Sequence, residues 1–437
     1  MTATTAPLAT TRLLLAPLSG VGPGLADHLA VHGHSPVARA SHDRRLPERL
    51  RTEILASGLT GRGGAGFPTA RKLELLAAQR RQPILVVNAM EGEPASGKDR
   101  LLLERSPHLV LDGAQAAAVA VAASEIVCCT ATEDSGSLAS LRGALAERAA
   151  AGLDPLPVRL EQAPGRYAAG EESALVDWVG GGKGLPSFRI DKGTPLAIRR
   201  TPVLVQNAET LAQVALVVRH GASWFRAAGT AEAPGTALVT VTGGLARPIV
   251  LEIELGTSLR SIVEQAGVLD EPAALLLGGY GGTWIDAGRL DTPYAPGPLS
   301  DAGATVGAGV IGALPHGACG IAETARIVCY LAGQSAGQCG PCTFGLPAVS
   351  DDMTRLAAGR GDARLGERMA ARLQQIDGRG ACRLPDGAVR LIRSAMGVFA
   401  DDVRAHARHR PCPGWNHRAV LPVAPGPDPR RMAGARR

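Results

Sequence analysis

The chain has 437 residues, 45% of them hydrophobic and 20% charged, enough apolar content for more than one packed core. That balance excludes a disordered or fibrous chain, and the 55 glycines and 31 prolines follow no collagen-like period. The formal net charge of +6 belongs to residues 408–437, where seven arginines face one acid, Asp428; residues 1–407 hold 39 basic and 39 acidic residues, so the body is neutral. Such a Pro- and Arg-rich end reads as a basic, disordered tail. Its aromatic content is Trp415 alone, so nucleic acid is not an expected partner.

Residues 1–45 are weakly patterned and read as an N-terminal extension without signal-peptide architecture. From residue 46 the chain alternates helix and strand. LPERLRTEILASGL is an amphipathic helix that leads into the loop GRGGAGFP at 61–68. ILVVN (84–88), EIVCCT and LPVRLEQAP are expected strands, separated by apolar helices, which argues for a mainly parallel α/β sheet. The period changes near residue 236: TALVTVTG and RPIVLEIELG form a hairpin, followed by a helix (SLRSIVEQAG) and the apolar run ALLLGG, a β-grasp pattern. After about Gly320 four helical segments predict a small bundle. The expected division is therefore 46–235, 236–318 and 319–407, flanked by the extension and the tail. No uninterrupted run of 18 apolar residues occurs, so no membrane-spanning helix and a cytoplasmic location are expected.

Five motifs carry chemistry. The loop 61–68 places Gly61, Gly63, Gly64 and Gly66 before a helix, where backbone amides can approach a phosphate or a flat ring, with Arg62 and Lys72 as nearby cations. NAMEGEP (88–94) follows a strand, which puts Asn88, Glu91 and Glu93 at the carboxyl edge of the sheet, where α/β folds bind ligands. GRYAAGEESALVDW (165–178) sets Tyr167, Gly170, Glu171 and Glu172 at a helix start, a position that capping alone explains. Asn207 and Thr210 suit a phosphate or an N-cap. Cys339 and Cys342 form a C-x-x-C between helices, with Cys382 40 residues on, a spacing that suits iron–sulfur or zinc. The chain holds 42 arginines and four lysines, so an ammonium kept against that bias, as at Lys72 and Lys98, points to a role guanidinium cannot fill.

In this order and spacing the five motifs resemble the flavoprotein subunit of respiratory complex I and the related soluble NAD-linked diaphorases, from about residue 50 to 400. The resemblance implies an α/β Rossmann-like FMN-binding domain, an SLBB-like β-grasp domain and a C-terminal four-helix bundle that holds a 4Fe-4S cluster. It implies that Gly61, Arg62, Gly63, Gly64, Gly66, Lys72, Asn88, Glu91, Tyr167, Gly170, Glu171, Glu172 and Asn207 surround FMN. Phe67 and Glu93 are then expected to face NADH or NADPH, with Glu93 and Lys72 as catalytic residues. A hydride passes from the nicotinamide to FMN, and single electrons leave through the cluster to a partner protein such as a ferredoxin or another redox subunit. A scaffold subunit that no longer oxidises NADH is the alternative.

Three positions depart from the family pattern. Met90 stands for an aspartate beside the flavin. Leu75 stands for an aromatic against adenine, and a second aromatic, expected near Thr194, is missing there. Ala336 stands for the first of four cluster cysteines, leaving Cys339, Cys342 and Cys382. A methyl group cannot ligate iron, so the cluster is lost, keeps an open or solvent-bound iron, or recruits Cys412, His406 or His409. Cys412 is the metal ligand expected in its place.

Overall fold

A computed structural model describes residue 14 and residues 22–39, 43–188 and 194–423. The first sheet contains β1 (Ile84–Ala89), β2 (Glu125–Ala131), β3 (Val158–Ala163), β4 (Leu196–Ile198) and β5 (Thr201–Asn207) in the order β3-β2-β1-β5-β4. All pairs are parallel except β4 with β5. β1 and β2 read as continuous apolar runs because helices cover the sheet. Val86, Val87, Cys128 and Cys129 are fully buried there, so the adjacent cysteines pack as small apolar residues.

The second sheet contains β6 (Thr236–Thr242), β7 (Ile249–Glu254), β8 (Ala274–Leu277), β9 (Thr283–Asp286) and β10 (Val310–Leu314), in the order β7-β6-β10-β8-β9. β6 and β10 run parallel at its centre and the remaining pairs are antiparallel. The C-terminal part is helical: Gly320–Gly333, Leu346–Ala357, Leu365–Ile376, Leu384–Val398 and the shorter Ala400–Ala407. A π-helical turn, Pro341–Gly345, precedes the second of these and carries Cys342. No helix among the described residues is long and apolar enough to cross a membrane.

The described residues near both ends of the chain are more ordered than the sequence suggests. Within the extension, Leu25–His32 and Pro36–Arg39 are helical. The anchor is polar: the His28 ring bonds the Asp112 carboxylate at 2.8 Å, and Arg148 and Arg219 bond the same carboxylate. Burial opposes the Asp112 charge, but the His28 hydrogen bond and the two guanidinium groups hold its carboxyl well below the usual range. At the other end, Leu421 is buried and the N–H groups of Val420 and Leu421 donate to Glu323. The expected disordered tail is therefore structured as far as residue 423, because a buried carboxylate and an apolar slot hold it. Its arginine-rich remainder, 424–437, lies outside the described residues.

Helices Pro107–Ala120 and Ala208–His220 meet at Gly113, where an added Cβ would lie 1.7 Å from the Leu211 carbonyl oxygen. Gly113→Ala is expected to lower stability by about 1–3 kcal/mol, through forced separation of the two helices. Gly143→Ala, on the helix Ser135–Ala150 with open space around it, is expected to raise stability by about 0.5–1 kcal/mol. Urea denaturation of the two variants checks both signs.

Candidate functional site

The carboxyl ends of β1 and β5, the glycine loop and the rim of the second sheet enclose a cavity of about 300 Å³. Arg62, Gly63, Gly64, Asn88, Glu91, Glu93, Tyr167, Gly170 and Asn207 line it, so nine of the expected site residues converge. Two of the glycines lie close to their neighbours: a Cβ on Gly64 would lie 3.2 Å from the Gly307 carbonyl oxygen, and one on Gly170 3.2 Å from the Met90 side chain. Gly64 also has φ of 102°, which disfavours any residue with a side chain. Arg62 is buried, bonds Thr60 and the Thr236 carbonyl, and keeps Nε without a partner.

Beneath this cavity lies an ionic cluster. Lys98 Nζ donates to Asp99 and Glu209, each at 2.8 Å, and all three side chains are almost fully buried. Burial alone would lower the Lys98 ammonium, but the two carboxylates raise it well above its ordinary value. Asn207 donates to Asp99 and at the same time caps the helix Ala208–His220. Glu91 is engaged by the Ser96 hydroxyl and the N–H groups of Asp99 and Arg100, which fold the loop after β1 into the next helix.

Glu93 is buried and accepts from the Tyr280 N–H at 2.8 Å, the Tyr167 hydroxyl at 3.1 Å and the Ala95 N–H at 3.3 Å. Burial outweighs these bonds and pushes its carboxyl up to about 7. It lines the inner cavity beside Asn88, Glu91 and Asn207, apart from the second, larger cavity.

That larger cavity, about 810 Å³, opens on the other side of the glycine loop and is lined by Phe67, Lys72, Leu75, Glu171, Glu172, Phe188, Thr194 and Cys382 among others. The loop divides the two spaces, with Gly64 and Gly170 on the inner side and Ala65 and Glu171 on the outer. Lys72 pairs with Glu172 and donates to the Val205 carbonyl at 2.7 Å. Glu171 caps the helix Glu172–Val179 through the N–H groups of Ser173 and Ala174. Lys72, Glu171 and Glu172 thus sit with Phe67 outside the inner cavity, and Gly61 and Gly66 line neither space, serving the turn. An aromatic that sequence reasoning missed, Phe188, is 68% exposed on this cavity, six residues before the position where one was sought. Its signal was the short segment LPSF ahead of a changed loop.

Cys339 and Cys342 are free thiols close enough to act on each other electrostatically, and Cys382 lies close enough to feel both Cys339 and Glu171. Three thiols thus gather at the start of the helix Leu384–Val398, whose Arg390 bonds the Gly281 carbonyl at the inner cavity. The donor set suits three corners of an iron–sulfur cluster. Cys412 does not join them: its sulfur lies with Cys319 and His406, all three ligand atoms within 4.8 Å of one another. His409 instead bonds the Gly359 carbonyl. The expected fourth-ligand role of Cys412 is corrected by this placement, because the turn Pro413–Asn416 packs on the loop before the helix Gly320–Gly333, where a Cβ on Gly414 would meet the Gly317 carbonyl oxygen at 2.2 Å.

Two measurements follow from these buried charges. Lys98→Met leaves Asp99 and Glu209 facing each other without a cation and is expected to cost about 3–5 kcal/mol in urea denaturation. Glu93 has a folded value near 7 against an ordinary 4.5, so the folded state binds the extra proton between those limits and stability falls as pH rises through them. Glu93→Gln is expected to remove this loss, about 1 kcal/mol per pH unit, seen as a flatter thermal midpoint between pH 5 and pH 7.

Comparison with known proteins follows the same division. Residues 54–216 match the family described as the Nuo51 FMN-binding domain, and residues 322–406 match the NADH-ubiquinone oxidoreductase-F iron-sulfur binding region. An NADH-quinone oxidoreductase subunit of Streptomyces coelicolor is 30% identical over 381 residues, 84% of this chain and 85% of that protein. An NADH-quinone oxidoreductase subunit of Rhizobium meliloti is 29% identical over 381 residues, 84% of this chain and 90% of its own length. Among solved structures, an NAD+-reducing [NiFe]-hydrogenase in the H2-reduced state superposes with a TM-score of 0.77 at 30% identity, over 86% of this chain and 64% of the hydrogenase chain. With both sequence regions matched, the two relatives covered over most of their length, and the cavity and thiol cluster in their expected order, the chain belongs to the family of FMN- and iron-sulfur-binding subunits of NADH-quinone oxidoreductase.

Proposed function

We propose that this protein oxidises NADH through FMN and a 4Fe-4S cluster and delivers single electrons to a partner protein. The observation that carries this reading is the arrangement of the two cavities: the glycine loop separates an inner, polar cavity from an outer one that Cys382 also lines. FMN supplies the ability to accept a hydride and pass electrons on one at a time, and a 4Fe-4S cluster carries them onward.

In this reading Arg62, Gly63, Gly64, Asn88, Gly170 and Asn207 hold FMN. Phe67 and Phe188 offer faces to a dinucleotide in the outer cavity, and Lys72 and Glu172 orient it through their shared pair. Glu93, near neutrality in its ionisation and fixed by Tyr167 and Tyr280, holds a proton beside the flavin site. Met90 is buried against Gly170 and lends apolar contact where the family carries an acid. Cys339, Cys342 and Cys382 hold the cluster, whose fourth iron is bound by something other than Cys412.

The second sheet is read as an SLBB-like β-grasp unit and the C-terminal helices as a four-helix bundle, with domain limits near 46–235, 236–318 and 319–407. Relatives named as subunits of NADH-quinone oxidoreductase support a redox partner subunit as acceptor; a ferredoxin as that acceptor and a cytoplasmic location belong to the same reading.

Anaerobic reconstitution with FMN, iron and sulfide tests the reading. The expected product shows flavin bands that NADH bleaches and a reduced-cluster resonance; a protein that stays colourless, or whose flavin yields to dithionite but not to NADH or NADPH, overturns it. Cys382→Ser is expected to abolish the resonance and most of the iron while NADH still bleaches the flavin. Phe67→Ala is expected to raise the KM for NADH about 2- to 10-fold with little change in kcat, the loss of one aromatic stacking face.

A further inference from the structure

Cys319, His406 and Cys412 come from three separate segments: the N-cap of the helix Gly320–Gly333, the helix Ala400–Ala407 and the turn Pro413–Asn416. Cys319 Sγ lies 3.6 Å from His406 Nε2, and the Cys412 sulfur lies within 4.8 Å of both. The separation matches two ligands on adjacent corners of a tetrahedron with metal–sulfur and metal–nitrogen bonds of about 2.3 and 2.0 Å.

The surroundings orient each donor. His406 is fully buried, and its Nδ1 lies 3.0 Å from the Ala357 carbonyl and 3.2 Å from that of Leu356. Carbonyls only accept, so Nδ1 carries the proton and Nε2 presents its lone pair toward the two sulfurs, the usual arrangement of a metal-binding imidazole. The Cys412 N–H donates to the same Nε2 at 3.1 Å, which identifies it as the unprotonated nitrogen; a bound metal ion would take the place of this one hydrogen bond. The Cys319 sulfur in turn accepts the Ala322 N–H at 3.3 Å. Such a bond contributes little to a neutral thiol but strongly favours a thiolate.

We propose that Cys319 Sγ, His406 Nε2 and Cys412 Sγ form a structural zinc site separate from the iron–sulfur cysteines, with a water molecule as the fourth ligand. Two sulfurs and an imidazole are a donor set that suits zinc. The ion ties the C-terminal segment to the helical part. That segment continues to Val420 and Leu421, which bond Glu323, and to Pro422, whose carbonyl accepts the Tyr280 hydroxyl. Tyr280 holds Glu93, so the clamp stands two contacts from the inner cavity.

The full chain, produced with zinc in the medium and purified anaerobically, is expected to carry ~1 zinc per chain by elemental analysis alongside its iron. Zinc K-edge X-ray absorption is expected to fit two sulfurs and two lighter atoms at bond lengths of about 2.3 and 2.0 Å. Cys412→Ser, whose side chain is only partly buried, is expected to lower zinc at least tenfold and leave iron unchanged, whereas Cys382→Ser does the reverse. The proposal is overturned by negligible zinc in the unaltered chain, by an all-sulfur zinc shell, by a Cys319–Cys412 disulfide in the anaerobic protein, or by Cys412→Ser removing iron instead of zinc.

Discussion

The buried Lys98 ammonium is the contact on which the site depends. Its two carboxylate partners belong to different elements: Asp99 opens the helix after the β1 loop, and Glu209 opens the helix after β5. Glu209 uses its second oxygen to accept the Leu238 N–H from β6, so one ammonium joins the first sheet's carboxyl edge to the second sheet. Gly309 leaves room for the lysine stem, with Cδ 3.2 Å from where its Cβ would lie. A guanidinium is wider and planar, and cannot fill this tetrahedral point between two carboxylates. In a chain with 42 arginines, that geometry is reason enough for a lysine.

Glu93 extends the same logic to the helical part. Its carboxylate accepts from Tyr280 in the second sheet's loop and Tyr167 in the first unit. Tyr330 then meets both tyrosine rings edge-on at 6.1 Å from the helix Gly320–Gly333. One acid therefore sits where all three parts of the chain meet, which explains both its burial and its raised ionisation. The inner cavity is a product of this junction, since Gly278, Gly281, Thr305, Gly307 and Arg390 all contribute to its wall from outside the first sheet.

Sulfur chemistry in the C-terminal part is divided between two places. The thiols of Cys339, Cys342 and Cys382 gather near the outer cavity, while Cys412, which spacing made a candidate for the missing corner, turns toward Cys319 and His406. Cys319 had no motif around it and lies 87 residues from its histidine partner, so counting cysteines along the chain gave it no ligand role.

Local sequence determined the strands and helices, because periodicity, caps and glycine loops act over a few residues. Glu171 and Asn207 cap the helices they precede, as their position implied. The order of the five motifs also determined the family. Tertiary structure alone decided which side of the glycine loop each residue serves, moving Lys72, Glu171 and Glu172 to the outer cavity and Glu93 to the inner one. It also decided that Phe188 faces the outer cavity, that residues 25–39 and 408–423 are folded onto the body, and where Cys412 points. The reason is physical: these assignments rest on buried ion pairs and close backbone approaches between segments tens to hundreds of residues apart, such as Lys98 with Glu209, Asp112 with His28, and Gly414 with Gly317. No local pattern encodes them, since each partner is ordinary in its own stretch and acquires its role only when the fold removes water from between them.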